Sequence, residues 1–277
     1  MKTLRIVLAV GVVAAVVAAL SGVSTSLSLA GNGVPMANFT SNCRFSHGNN
    51  DDPIMLPGRP GTSHGHSYFG NVSTNASSTL VSLRRAGTTC HRPADRAAYW
   101  APTLFDAQHR PIYPLNASIY YIRATLKPLR AFPAGLRMIA GDADAAKPQR
   151  HILWSCGPTS GRLASRSIPT CPARSDTTLH LTVTFPGCWN GRDLDSPDHK
   201  AHLAYTGNGL CPSSHPVAVP SLSLTVRYPV AGGPGYHLAS GGAYSGHADF
   251  INSWDQRELV RLVRDCLNAT RQCGSRD

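Results

Sequence analysis

The chain has 277 residues and a formal charge of +11, with 26 Lys and Arg against 15 Asp and Glu. An apolar content of 42% is enough for one globular domain with a sizeable core. The basic balance favours a polyanion such as an acidic polysaccharide or cell-wall polymer as partner, although a biased composition without such a partner is the alternative. Aromatic residues form only 7% of the chain and are not interleaved with the basic ones, which argues against nucleic-acid binding.

The N-terminus is typical of an export signal. Lys2 and Arg5 precede an apolar run over residues 6–20, and Ala30 ends a segment of small residues suited to cleavage. The run is shorter than the roughly 20 residues that cross a bilayer. We expect residues 1–30 to be a signal peptide, or an N-terminal anchor if it is retained, and residues 31–277 to form a single domain. The protein should be extracellular, or bound to the cell envelope through the anchor alone, and monomeric.

Period-two patterns dominate the rest of the chain. Residues 118–126 and 151–156 are short β-like runs, and apolar residues alternate with polar ones over 179–185 and 222–228. At the C-terminus, Asp255 to Glu258 resembles a capping box that is followed by apolar residues on one helical face: Leu259, Leu262, Val263 and Cys266. The pattern predicts a mainly β fold, an antiparallel, jelly-roll-like β-sandwich with long loops and one C-terminal helix.

The cysteines favour a disulfide-stabilised protein. Their even number, eight, fits four disulfides in an exported chain. We expect the two closest pairs to be Cys156 with Cys171 and Cys266 with Cys273, in a structural role.

The first candidate site motif contains His64 and His66. Residues i and i+2 of a strand point to the same face, so the two imidazoles could converge on one ion or substrate group. An accidental H-x-H pattern is the alternative.

The second motif follows a predicted strand and gathers Asp195, His199 and His202, with Tyr205 close behind. A loop mounted on a rigid strand suits acid/base groups. Turn formation explains Asp195 equally well, because an Asp side chain accepts backbone N–H bonds.

Two further motifs supply His215 and the pair His247 and Asp249. On an extended segment His247 and Asp249 would share a face, which suits either metal ligation or a base oriented by a carboxylate. A histidine capped by its neighbour at a strand end is the alternative.

In this order the motifs resemble the family of the domain of unknown function 1996, secreted proteins of fungi and bacteria. The resemblance covers roughly residues 38–266, and it implies a fold and an export route but no reaction. Ser67 and Tyr68 depart from it, because relatives are expected to have an apolar stretch after H-x-H. The matching positions are His66, Cys188, Trp189, Gly191, Leu194, Asp195, Ser196, Pro197, His199, His202, Cys211, Pro212, His215, Pro216, His247, Asp249, Phe250, Asn252 and Trp254.

These motifs favour an extracellular carbohydrate-active enzyme, a lyase or hydrolase acting on an acidic glycan by acid/base chemistry with or without a metal. The alternative is a non-catalytic module that binds cell-surface or cell-wall glycans, with Trp189 and Trp254 holding loops or stacking on sugars. A divalent metal is the one cofactor expected, with His64, His66 and His247 as its ligands. The candidate catalytic residues are His66, Asp195, His199, His202, Tyr205, His215, His247 and Asp249.

Overall fold

The computed structural model describes residues 33–157, 164–173, 178–242 and 244–274. The predicted signal peptide, residues 1–30, lies outside the described residues. Among the helices of these ranges, none has the length and apolar character needed to cross a membrane.

Short strands make up most of the regular structure. In chain order the elements are β1 (Asn38–Asn49), β2 (His66–Gly70), α1 (Leu80–Arg85), β3 (Ala98–Pro102), β4 (Leu104–Phe105), β5 (Pro111–Ile112), β6 (Asn116–Ile122), β7 (Arg137–Gly141), β8 (Ile152–Cys156), β9 (Leu179–Thr184), β10 (Cys188–Trp189), β11 (Leu203–Ala204), β12 (Val217–Ala218), β13 (Ser221–Arg227), β14 (His237–Leu238), β15 (His247–Ile251), α2 (Gln256–Leu262), a π-helical turn (Val263–Asn268) and β16 (Gln272–Cys273).

The main strands follow one hydrogen-bonded path, β7-β15-β3-β2-β1-β6-β13-β9-β8. The long strand β1 belongs to two layers: residues 38–44 pair with β6, residues 45–49 pair with β2, and the register shifts between Phe45 and His47. We call β7, β15, β3, β2 and the second half of β1 the front sheet, and the first half of β1 with β6, β13, β9 and β8 the back sheet. Neighbours on this path are antiparallel, and β16 adds to β1 in parallel.

The main core lies between the two sheets. Alternate residues of the front sheet, such as Phe69 and Phe250, belong to the same buried cluster as Ile119 and Leu224 of the back sheet. Because alternate side chains of a strand face opposite ways, this shared cluster defines a face-to-face sandwich. A smaller buried cluster covers the outer face of the front sheet, and its members are Ile54, Tyr68, Leu83, Ala98, Trp100, Ile139 and Ile251.

The predicted β-sandwich is confirmed. The runs over 151–156, 179–185 and 222–228 coincide with β8, β9 and β13. The predicted run over 118–126 is longer than the strand, because β6 ends at Ile122. Beyond this end the Arg123 side chain donates to the carbonyls of Thr125 and Leu126, which follow it in the chain.

The C-terminal helix is also confirmed. Asp255 is its N-cap and accepts hydrogen bonds from the backbone N–H groups of Arg257 and Glu258. The Glu258 carboxylate pairs with Arg261, so the reciprocal half of the predicted capping box is replaced by an ion pair one turn along. A short helix that the sequence pattern did not predict, α1, has its own capping box between Thr79 and Ser82.

Four disulfides stabilise the fold, as the cysteine count predicts. Both expected pairs are present, and the other two join Cys43 to Cys90 and Cys188 to Cys211. Disulfides of this kind are characteristic of proteins that fold in an oxidising compartment.

Candidate metal centre

The candidate centre lies on the outer face of the front sheet. Alternation places His66 on the outer face of β2, since Phe69 is in the main core. On β15 it places His247 and Asp249 outward, since Phe250 is in the same core. The motifs at the two ends of the chain therefore meet on one surface.

Strand β3 separates the two histidine strands. Asp249 and Tyr68 both pair with Trp100, while His66 pairs with Pro102 at the end of β3. Strands two apart in a sheet lie about 10 Å from each other. The ring centroids of His66 and His247 are only 5.8 Å apart, so the two imidazoles lean towards each other across the end of β3.

The loop over residues 50–65 covers this face, and Asp51 holds it in place. The Asp51 carboxylate accepts hydrogen bonds from the backbone N–H groups of Gly61 and Ala76, at 2.8 and 3.0 Å. Its carbonyl oxygen accepts from the Tyr68 hydroxyl and lies 3.0 Å from His66 Nδ1. These bonds bring the neighbouring Asp52 and the far end of the loop, His64, over β2.

Three imidazoles thus form one cluster. One nitrogen each from His64, His66 and His247 lies within 4.8 Å of the others. His66 and His247 are buried, whereas His64 is half-buried and forms the exposed side of the cluster.

Hydrogen bonds to carbonyl groups fix two of the tautomers. His66 Nδ1 faces the Asp51 carbonyl at 3.0 Å, and His247 Nδ1 faces the Ser245 carbonyl at 2.9 Å. A carbonyl oxygen only accepts, so each Nδ1 carries the hydrogen and each Nε2 presents a lone pair to the cluster. Orientation by a carbonyl acceptor on the second nitrogen is the arrangement found behind metal-binding histidines.

Two carboxylates form a second group that shares His66 with the three imidazoles. One oxygen each from Asp52 and Asp249 lies within 4.8 Å of a His66 nitrogen and of the other. One Asp52 oxygen accepts from the backbone N–H groups of Ile54 and Met55. Within the described part of the chain, Asp249 Oδ2 and His66 Nε2 are buried with no hydrogen-bond partner.

Burial makes the charged forms of these groups unfavourable when no cation is bound. Burial raises the pKa of Asp249 well above its usual value, and the neighbouring Asp52 raises it further. Burial likewise raises the pKa of Asp52 and lowers the pKa of His66 well below its usual value. A divalent cation would balance both carboxylates and pair the two orphaned atoms, so the residues fit a metal ion.

The spacing fits a transition metal. His64 Nε2 and His247 Nε2 are 3.1 Å apart. Two ligands of a tetrahedral zinc ion, each at ~2.05 Å, are separated by about 3.3 Å. Imidazole nitrogens with carboxylate oxygens favour zinc, iron, copper or manganese over calcium or magnesium. Without the metal, the same spacing is a hydrogen bond between the two rings.

Gly141 on β7 allows the backbone of β15 to approach. Its φ of +91° is in the left-handed region, and a Cβ there would lie 2.6 Å from the Gly246 carbonyl oxygen and 2.8 Å from His247 Cα. Glycine is therefore required beside His247.

The loop after β10 reaches the same region. Lys200 Nζ donates to the Gly141 carbonyl at 2.8 Å, and its charge partly opposes the raised pKa of Asp249. His199 is held by Asp195 at 2.8 Å, and Asp195 also pairs with Arg137. Asp195 therefore orients the His199 side chain. This structural role is close to the alternative given in the sequence analysis, in which Asp195 forms a turn.

His202, His215 and Tyr205 are held by other partners. Both nitrogens of buried His202 are bonded, to Ser196 Oγ and the Arg137 carbonyl. Both nitrogens of half-buried His215 are bonded as well, to Ser214 Oγ and the Ala201 carbonyl. The Tyr205 hydroxyl donates to the Thr184 carbonyl, and its ring stacks on His151.

The structure therefore brings together His64, His66, His247 and Asp249 from the predicted set. It adds Asp52, which the sequence analysis missed. The adjacent acids at 51 and 52, in a chain poor in acidic residues, were the available signal. Cys43, Cys90 and Asp95 also lie close enough together to hold a metal ion. They offer no thiolate ligand, because the two cysteines form a disulfide.

Fold and cluster together define a disulfide-bonded β-sandwich with histidine and carboxylate groups gathered on one sheet face. The family described as domain of unknown function (DUF1996) matches residues 52–254. The chain belongs to this family, and the matched region contains every residue of the cluster. No curated protein and no solved structure matches the chain.

Proposed function

We propose that the protein is an exported, metal-dependent enzyme that acts on an acidic glycan as a lyase or hydrolase. The observation that carries the proposal is the cluster of His64, His66 and His247 beside two buried carboxylates, with Asp249 Oδ2 and His66 Nε2 left without partners. Export is supported by the apolar N-terminal run and the four disulfides.

The chemistry follows from where the cluster opens. A bound cation would polarise a substrate oxygen or lower the pKa of a water molecule. His64 is the least buried ligand, so substrate would approach from its side. In this proposal His64, His66 and His247 hold the cation together with the two carboxylates that lie beside His66, Asp52 and Asp249.

A neighbouring cavity supplies the binding groups. It has a volume of about 270 Å³ and its lining includes Gly141, Arg150, Lys200 and Tyr205. Gly141 pairs with His247, which places the cavity next to the cluster. The cationic side chains of Arg150 and Lys200, which outnumber the one acid among the described lining residues, Asp142, suit the carboxylate of a uronic acid, and the stacked rings of Tyr205 and His151 offer an aromatic surface for a sugar.

The second candidate function is a non-catalytic glycan-binding module with a structural metal. The observation that favours it is burial, since His66, His247, Asp52 and Asp249 are all buried. A structural site is closed by protein ligands, whereas a catalytic site keeps one position open.

Metal content tests the centre itself. The full chain, secreted through an oxidising compartment, would be analysed by mass spectrometry after exposure to zinc, manganese, iron and copper salts in turn. We expect one metal ion per chain, lost in the His66→Gln/His247→Gln variant. The matched control is His215→Gln, a half-buried histidine outside the cluster, which should retain the metal. Folded protein that takes up no metal, or equal loss in the control, would contradict the proposal.

Activity separates the two candidate functions. The loaded protein would be incubated with polygalacturonate and with alginate, and new unsaturated or reducing ends would be measured. Turnover that a chelator abolishes supports the enzyme. A metal that raises the unfolding temperature while no acidic glycan is cleaved supports the binding module instead.

A further inference from the structure

The outer face of the back sheet carries polar side chains in rows across the strands. The ladder aligns Arg44 of β1 with Asn116 of β6, Arg227 of β13 and His180 of β9. The next row, two residues along each strand, contains Asn42, Ser118 and Thr225. Register alone brings these residues together, because they come from strands far apart in sequence.

These rows line a groove of about 570 Å³. The main core lies on the other side of the same strands, where Ile119 and Leu224 are buried. The groove is thus on the opposite side of the sandwich from the histidine cluster. Cys43, which also lines it, forms a disulfide with Cys90 that fixes the margin of the groove at β1.

Arginines give the groove its charge. Arg44 and Arg227 both line it, and no Asp or Glu does so among the described residues. In the described part of the chain, the exposed Arg44 guanidinium makes no hydrogen bond or ion pair. Arg227 uses its Nε to donate to Thr178 Oγ1 at 3.2 Å, which orients its two terminal nitrogens. Oriented guanidinium groups suit carboxylate and sulfate.

His180 contributes shape rather than charge. Its Nε2 is 3.1 Å from Thr178 Oγ1, the oxygen that accepts from Arg227. The Thr178 hydroxyl thus links the His180 ring to the Arg227 guanidinium. Burial and the nearby Arg227 lower the pKa of His180 to about 4, so the ring is neutral at neutral pH.

The remaining lining suits hydroxyl-rich ligands. Ser118, Thr225 and Asn116 offer neutral donors and acceptors, which match the hydroxyl groups of sugars. Tyr120 supplies one aromatic ring in the groove, which is enough for contact with a sugar but not for a platform that stacks successive nucleic-acid bases.

We propose that this groove binds a linear acidic oligosaccharide, with Arg44 and Arg227 holding its anionic groups and the Ser118, Thr225 and Asn116 side chains bonding its hydroxyls. The site is separate from the metal centre and does not depend on it. It would keep an exported enzyme or binding module on its polymer.

Calorimetric titration of the full chain tests the proposal. The probes are oligogalacturonate, which carries carboxylates, a sulfated dextran oligomer, and a neutral malto-oligosaccharide. We expect at least one acidic probe to bind and the neutral probe to bind much more weakly. The stronger acidic probe identifies the anionic group that the site prefers. Absence of binding to both acidic probes would overturn the proposal.

Matched charge variants separate the groove from bulk charge. Arg44→Gln/Arg227→Gln should weaken binding at least tenfold, since each arginine makes charge-assisted hydrogen bonds. Arg85→Gln/Arg130→Gln removes the same charge from exposed positions that do not line the groove, and should change affinity less than about twofold. Equal weakening in the two variants would show non-specific attraction and overturn the site.

A third variant distinguishes the two proposals. His66→Gln/His247→Gln should bind the acidic probe with unchanged affinity in the presence of a chelator. If this variant loses probe binding although its circular dichroism spectrum matches that of the parent, the ligand occupies the metal face and the groove proposal is wrong.

Discussion

The outer faces of the two sheets follow the same strand geometry but have opposite characters. The front face lies under the loop over residues 50–65, and its titratable groups are buried beside apolar side chains such as Trp100 and Ile139. The back face is open, and its charge comes from Arg44 and Arg227. The comparison shows that the cover over a sheet, rather than the sheet itself, decides which chemistry its outward side chains can perform.

The cover changes the strength of electrostatic interactions. In the front cluster, buried carboxylates and imidazoles interact through a medium of lower effective dielectric than water, so a cation would bind strongly there. In the open groove, solvent and salt screen the arginines. Affinity at the front should therefore be nearly independent of salt, while affinity at the back should fall as salt rises.

The largest effect we expect comes from the core that both sheets share. Buried Asp95 contacts the Tyr99 hydroxyl at 2.9 Å, and burial raises the pKa of this carboxyl from 3.8 to about 7. The folded state thus holds this proton more tightly than the unfolded chain does, so the contribution of Asp95 to stability is greatest below pH ~4 and is lost as the pH rises to about 7. The loss is up to ~4 kcal/mol.

Denaturant unfolding between pH 4 and 8 measures this loss, and Asp95→Asn should flatten the profile. The variant then gives a background against which the pH dependence of metal binding can be read. A profile equally steep in parent and variant would assign the effect to other groups.

The next effect concerns the backbone that supports the front face. Gly141→Ala adds a Cβ against the backbone at Gly246 and His247. We expect the free energy of unfolding to fall by ~3 kcal/mol and metal binding to be lost. Gly58 is the matched control, because its φ of +71° is similar but nothing lies within 4 Å of its added Cβ. Gly58→Ala should lower the free energy of unfolding by only ~1 kcal/mol. Thermal unfolding compares the two, and equal losses would show that strain alone, without the close contact, sets the cost.

The smallest effect is a change in stability whose sign depends on whether metal is bound. Asp249→Asn removes a buried carboxylate that faces Asp52. In chelator the variant should be as stable as the parent or more stable by ~1 kcal/mol, since the substitution removes a carboxyl whose charged form burial disfavours. With saturating metal the parent should be stabilised more than the variant, because it binds the ion more tightly. Unfolding temperatures with and without metal provide the measurement, and stabilisation of both proteins to the same extent would remove Asp249 from the ligand set.

The sequence predicted the front site better than the back one. His66, His247 and Asp249 were found because alternation within a strand is local, so residues two apart share a face wherever the strand lies. Asp52 was missed because it enters the cluster through loop closure, which depends on the tertiary bonds of Asp51. His202 and His215 could not be told from functional histidines, since their carbonyl partners are distant in sequence or have no side-chain signature.

The groove could not be predicted because its residues are ordinary. Ser118 and Thr225 belong to the β-like run over 118–126 and the alternating pattern over 222–228, and in such segments polar residues indicate the solvent side of a strand. Their alignment with Arg44 requires the strand order and register, and neither follows from local patterns.

Strand β1 passes without interruption from one layer to the other. Arg44 of the groove and the start of the loop that carries Asp52 therefore stand on one continuous piece of backbone. Domain dissection cannot yield a fragment with one site and an intact sheet. The two layers should unfold in a single cooperative transition, so a metal bound at the front will raise the midpoint recorded by a probe placed in the groove.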